Sequence, residues 1–130
     1  MEGGMAAFAQ LLNRSIRPTA VICSNDMTAI GVMRKSHDAG ISIPRDLSVI
    51  GFDDIRLAQF VIPPLTTIQM SQAELARLAF HALVADLERK TPAPSGSEYV
   101  LKTSLVLRES TSLISGRSKI SAGKRAHKGS

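Results

Sequence analysis

The sequence predicts an α/β fold in which a parallel sheet forms the middle of three layers. Two apolar runs, Thr19-Ala20-Val21-Ile22-Cys23-Ser24 and Leu47-Ser48-Val49-Ile50-Gly51-Phe52, each stop abruptly at a polar pair, Asn25-Asp26 and Asp53-Asp54. Short β-branched runs of this kind read as buried parallel strands. A segment of helical periodicity, Met27–Ala39, lies between them. Strand, helix, strand in that order is a βαβ unit, and its crossover is right-handed.

Each element follows from a local signal. Met5, Phe8, Leu11 and Leu12 share one face of a helix over Gly4–Asn13, and Arg17-Pro18 stops it, since proline disfavours helix in the residue before it. Thr19–Ser24 is the first strand. Asp26 is placed to cap Met27–Ala39, whose apolar face is Ala29, Ile30, Val32 and Met33, and Gly40 supplies the left-handed stop. The connector Ile41–Asp46 leads into the strand Leu47–Phe52. Ile55–Phe60 is a short helical or irregular stretch, and two prolines keep Val61-Ile62-Pro63-Pro64-Leu65 out of regular structure. Thr66-Thr67-Ile68 reads as a brief strand or a crossover. Ser71 and Glu74 offer a capping box to the longest helix, which runs to about Arg89. A proline loop, Thr91–Gly96, follows, and Tyr99–Leu101 and Ser104–Leu107 read as a hairpin or two terminal strands.

Composition narrows the function classes. At 130 residues, 44% hydrophobic and 21% charged, the chain is a single domain at most. It has no apolar run of the roughly 20 residues that span a bilayer, and its start lacks the marks of a secretory signal. Its one cysteine, Cys23, falls inside a strand and reads as a buried reduced thiol, which fits a cytoplasmic chain. The net charge of +5 lies wholly in Arg117, Lys119, Lys124, Arg125 and Lys128; up to Ser112 the acidic and basic residues balance. A nucleic-acid-binding fold carries its basic patch on structured surface, and none is expected here. The segment 113–130, rich in Ser, Gly and Lys, reads as a disordered basic tail.

Catalytic and metal motifs are missing. There is no phosphate loop, no nucleophile elbow and no Cys-x-x-Cys pair, and His37, His81 and His127 lack ligand spacing. Asp53-Asp54 has no neighbouring nucleophile, so turn and cap roles are preferred to acid–base chemistry. The rim of the sheet is more informative. In an open α/β sheet the ligand crevice lies at the carboxyl ends of the strands. Asn25 and Asp53 occupy equivalent positions just past two neighbouring strands. An amide that donates and accepts beside a carboxylate that accepts suits the hydroxyls of a small molecule. For Asp26 the cap reading is preferred.

The long helix raises a different question. Leu75, Ala76, Ala79, Phe80, Leu83, Val84 and Leu87 form a broad apolar face, which expects substantial cover. The few strands predicted around it leave part of that cover to be found elsewhere.

Taken in order, Arg17-Pro18-Thr19-Ala20, Ser24-Asn25-Asp26, Gly31, Gly40, Ile43–Asp54, Pro63-Pro64-Leu65-Thr66-Thr67-Ile68 and Leu107-Arg108-Glu109-Ser110-Thr111 resemble the effector-binding region of the lac repressor (LacI/GalR) family of transcriptional regulators. The resemblance runs from about Glu2 to Thr111. It implies the C-terminal lobe of a periplasmic-binding-protein-like fold, truncated, with residues 1–112 forming a partial effector-binding domain. It further implies that Asn25 and Asp53 hydrogen-bond the effector, usually a sugar. The dimerisation surface would comprise Ile30, Met33 and Arg34 on the first βαβ helix, with Leu57, Phe60 and Val61. For Ile30 and Met33 an intramolecular core fits the same spacing, and both readings stand. The long helix would pack with the other lobe.

The expectation is thus a truncated LacI-type regulator, cytoplasmic and not an enzyme, with no cofactor, no metal and no membrane partner. Its effector would bind weakly, because half the cleft walls are missing. Operator DNA would be reached only through a helix-turn-helix headpiece absent from this sequence, and the parent protein would be a homodimer. Two alternatives accompany it: a fragment of a periplasmic sugar-binding transport protein of the same fold, and a dominant-negative partner for full-length relatives.

Overall fold

Helix α1 (Glu2–Leu12) leads into β1 (Ala20–Ile22), α2 (Asp26–Asp38) and β2 (Ser48–Phe52). A single 3-10 turn (Arg56–Gln59), β3 (Thr66–Met70), α3 (Gln72–Leu87) and β4 (Thr103–Val106) follow. These are the elements of a computed structural model, which describes residues 1–15, 17–88 and 98–113. The proline loop Thr91–Gly96, the expected helix end at Arg89, and the tail from residue 114 lie outside the described residues.

The four strands stand side by side in chain order. β1 pairs with β2 and β2 with β3 in parallel, as the βαβ reading requires, while β4 returns antiparallel along β3. The sheet is therefore mixed rather than wholly parallel. Thr66-Thr67-Ile68, left open as strand or crossover, is the core of a five-residue strand lying between β2 and β4. Its pairing on both sides decides for the strand. Tyr99–Leu101 forms no strand, so neither the hairpin nor the pair of terminal strands forms, and β4 stands alone in this region.

Helix α2 lies on the face of the sheet that carries Val49 and Gly51, and α1 packs across α2. Their approach is close because glycines sit at the crossing. A Cβ on Gly4 would fall on the Thr28 carbonyl, and one on Gly31 on the backbone of Met1 and Met5. Phe8, Cys23, Ala29, Ile30, Val32, Met33, Leu47, Val49, Ala58 and Leu65 make up the core. Ile30 and Met33, at 9% and 7% exposure, belong to this interior and leave the expected dimer surface; α1 and the sheet bury α2 on two sides. At its far end α2 stops on Gly40 (φ 70), as read from the sequence.

The described residues supply two of the three expected layers. On the opposite face of the sheet Ile22 is 78% exposed, and Leu105 is exposed as well. Helix α3 begins as anticipated, with the Ser71 hydroxyl accepting from the Glu74 N–H at 3.2 Å, yet none of its residues is buried. Leu75, Phe80, Leu83 and Leu87 all remain exposed. Among the described residues no helix is long and apolar enough to cross a membrane.

Gly31→Ala tests the close crossing of α1 and α2. Alanine would favour the helix by up to ~1 kcal/mol, but forcing backbone apart costs roughly 1–3 kcal/mol. A lowered midpoint in a circular-dichroism melt is expected. An unchanged or raised midpoint would show that the helices do not meet through this glycine.

Candidate functional site

The parallel register places the two polar pairs on one rim. Ile22 pairs with Ile50, and Asn25 and Asp53 each lie three residues beyond that pair. The Cys23 N–H donates to the Ile50 carbonyl at 2.8 Å, and the Asp53 N–H to Ile68 at 2.9 Å. Ladder bonding thus continues to the edge where the side chains emerge. Asn25 and Asp53 are both half-buried.

The helix cap expected of Asp26 falls instead to Asn25. Asn25, in extended conformation, is the N-cap of α2, its Oδ1 accepting from the Thr28 N–H at 2.8 Å. This satisfies one of the donors that every helix start leaves open. The cap uses part of the acceptor capacity of the amide, and its Nδ2 remains able to donate outward. Asp26 is the first residue of the helix and is fully buried. Its Oδ1 accepts from the Thr67 hydroxyl at 2.5 Å and its Oδ2 from the Ile55 N–H at 2.8 Å. A buried carboxylate needs such partners. The helix N-terminus adds a favourable field. Space for it exists because Gly51 has no side chain; a Cβ there would meet Oδ1.

The pair after β2 divides in a similar way. Asp54 is engaged on both oxygens, accepting from Arg108 Nη2 at 2.6 Å and from Gln69 Nε2 at 2.9 Å. Arg108 also donates through Nη1 to the Leu65 carbonyl at 2.8 Å. Asp53 keeps its carboxylate free of hydrogen bonds within the described residues. Both aspartates have positive φ, 109 for Asp53 and 51 for Asp54, a conformation rarely held by residues other than glycine.

Cys23, buried at the end of β1, has its thiol pushed up to about 11, first by burial and then by the nearby Asp26 charge. Among the described residues no cluster of His, Cys, Asp and Glu is arranged to hold a metal ion. Of the expected dimer residues, Arg34 pairs with Asp38 on the surface, Leu57 and Phe60 are exposed, and Val61 is half-buried. Neighbouring Ile62 is 94% exposed.

Asp26, Thr67, Gln69 and Arg108 were not singled out from the sequence as site residues. Asp26 carried a usable signal: it falls in line with Ala29, Ile30 and Met33 on the buried stripe of α2. Arg108 had none, since its partner lies 54 residues away.

Comparisons with known proteins bear on the family and the fold. The sequence profile of the periplasmic binding protein-like domain matches residues 2–111. The ribose operon repressor of Haemophilus influenzae is 43% identical over 109 residues, 84% of this chain and 32% of that protein. A solved complex of the transcriptional regulator CelR with cellobiose has TM-score 0.74 at 30% identity, over 84% of this chain and 33% of that one. A LacI family regulator from Lactobacillus casei, with bound glucose, has TM-score 0.66 at 33% identity, over 85% and 39% of the two chains. The chain spans about a third of the length of the curated relatives it matches.

Two measurements check the electrostatics. Folding protects the protonated Cys23 thiol, so its contribution to stability is complete below the unfolded value near 9 and is lost as pH rises toward about 11. Urea midpoints should decline across that window in the native chain and stay level in Cys23→Ser. Equal declines in both would discard the assignment. Asn25→Asp should keep the helix cap and hold stability within about 0.5 kcal/mol, whereas Asn25→Ala should lose about 1 kcal/mol by urea titration.

Proposed function

Because this chain belongs to the periplasmic-binding-protein-like family, in its branch of LacI-type transcriptional regulators, we propose that it supplies one wall of an effector pocket for a sugar or a similar polyhydroxylated metabolite. The observation that carries the proposal is the common rim: Asn25 and Asp53 stand at equal distance beyond the paired residues Ile22 and Ile50. Asn25 donates to a ligand oxygen through Nδ2, and the Asp53 carboxylate accepts from hydroxyls. A site of this kind discriminates by chemistry, because a ligand lacking a hydroxyl leaves a polar group of the protein unpaired. Its task is binding rather than catalysis. The names of the relatives, which include ribose, glucose and cellobiose, support the ligand class.

In the complete regulator, effector binding biases a two-lobed dimer between DNA-competent and incompetent states, which is coupling between sites in the thermodynamic sense. Dimerisation engages Arg34, Leu57, Phe60 and Val61, joined by the exposed Ile62. DNA is read by a headpiece, since among the described residues no element is suited to enter a groove.

Ribose, glucose, sucrose and cellobiose, titrated into the chain and followed by NMR shifts, test the pocket. A weak saturable response is expected for at least one sugar, abolished in Asp53→Asn and reduced in Asn25→Asp. Submicromolar affinity would contradict a single wall, and absence of any response would remove the effector reading. For the dimer surface, Phe60→Asp should shift sedimentation from dimer to monomer at unchanged helix content. A wild-type chain that stays monomeric at high concentration would refute that surface.

A further inference from the structure

We infer that Arg108 and Asp26 are positioning residues for effector recognition, acting on the ligand only by fixing the direction in which Asp53 presents its carboxylate. The inference rests on the effector reading of Asp53. Its physical basis is the backbone of residues 53–55. Asp53 and Asp54 both hold positive φ, a conformation that persists in non-glycine residues only when the surroundings over-determine it. The surroundings here act from both sides.

On the far side of Asp53, the Asp54 carboxylate is gripped by Arg108 and Gln69, and the Ile55 N–H is held by the buried Asp26. On the near side, the Asp53 N–H is fixed to the Ile68 carbonyl. The free side chain of Asp53 therefore projects from a segment anchored to α2, β3 and Arg108, just beyond β4. Arg108 is suited to the task by its fork. One nitrogen reaches Asp54 while another holds the Leu65 carbonyl, and both Arg108 and Asp54 are largely buried. A lysine, with a single ammonium on a flexible stem, does not reproduce that geometry. Since both oxygens of Asp54 are occupied, Asp53 is the one carboxylate of the pair left for a ligand.

The experiment uses the full 130-residue chain with ribose and cellobiose as probes. Amide hydrogen exchange is read at Asp53, Asp54 and Ile55, and sugar affinity from NMR shifts. Arg108→Lys should speed exchange at these amides more than in β2 and weaken sugar binding by about tenfold, the equivalent of one charge-assisted hydrogen bond. Asp26→Asn should release the Ile55 amide selectively. If burying an unpaired Asp54 unfolds a variant, Asp54→Asn combined with Arg108→Gln keeps a neutral pair, and the same local loosening is expected. A merely structural role would lower the melting midpoint while leaving exchange at 53–55 in step with the rest of the sheet. That pattern, or unchanged sugar affinity in Arg108→Lys alongside a responsive native chain, overturns the inference. If no sugar binds the native chain, the effector reading falls by itself, and selective exchange at 53–55 still decides whether Arg108 and Asp26 hold the segment.

Discussion

The buried carboxylate of Asp26 is the constraint on which the rest of the rim depends. Its two oxygens tie the start of α2 to the Thr67 hydroxyl of β3 and to the backbone just past β2. A buried carboxylate of this kind is tolerated only where fixed donors replace its lost water. Gly51 provides the room. One side chain thereby aligns the crossover helix with the strands on either side of it, and that alignment fixes where Asn25 and Asp53 emerge.

Each polar pair at the rim holds one residue that builds the fold and one that faces outward. In the first pair Asn25 closes the helix with its carbonyl and leaves its amide nitrogen available, while Asp26 turns inward. In the second, Asp54 is taken up by Arg108 and Gln69, and Asp53 stays open. Two parallel strands in register are what make the pairs comparable. The outward residues inherit rigidity from the inward ones, which is how a site on short connecting segments acquires a defined geometry.

The uncovered surfaces follow from the same layering. One face of the sheet is packed by α2 and closed by the helix crossing at Gly4 and Gly31. The other, together with the apolar residues of α3, lacks cover from the described residues. The chain matches only about a third of the length of its relatives. A broad apolar face on a helix needs an apolar partner to be stable in water, so the width of the α3 face was itself a legible sign that cover is required beyond these elements.

By itself, the sequence determined the βαβ order, the stop at Gly40, the Ser71 cap and the rim positions of Asn25 and Asp53. Each of these depends on neighbours within a few residues: periodicity, capping and strand ends are short-range properties. Tertiary structure decided what depended on distant partners. The central place of Thr66–Met70 in the sheet and the antiparallel return of Thr103–Val106 came from pairing across the chain. The assignment of Ile30 and Met33 to the interior came from α1. The burial of Asp26 against Thr67 and the Ile55 N–H, and the capture of Asp54 by Arg108, likewise required groups brought close only by folding. A side chain's hydrogen-bonding capacity can be read from its identity, but its partner is selected by the three-dimensional arrangement that surrounds it.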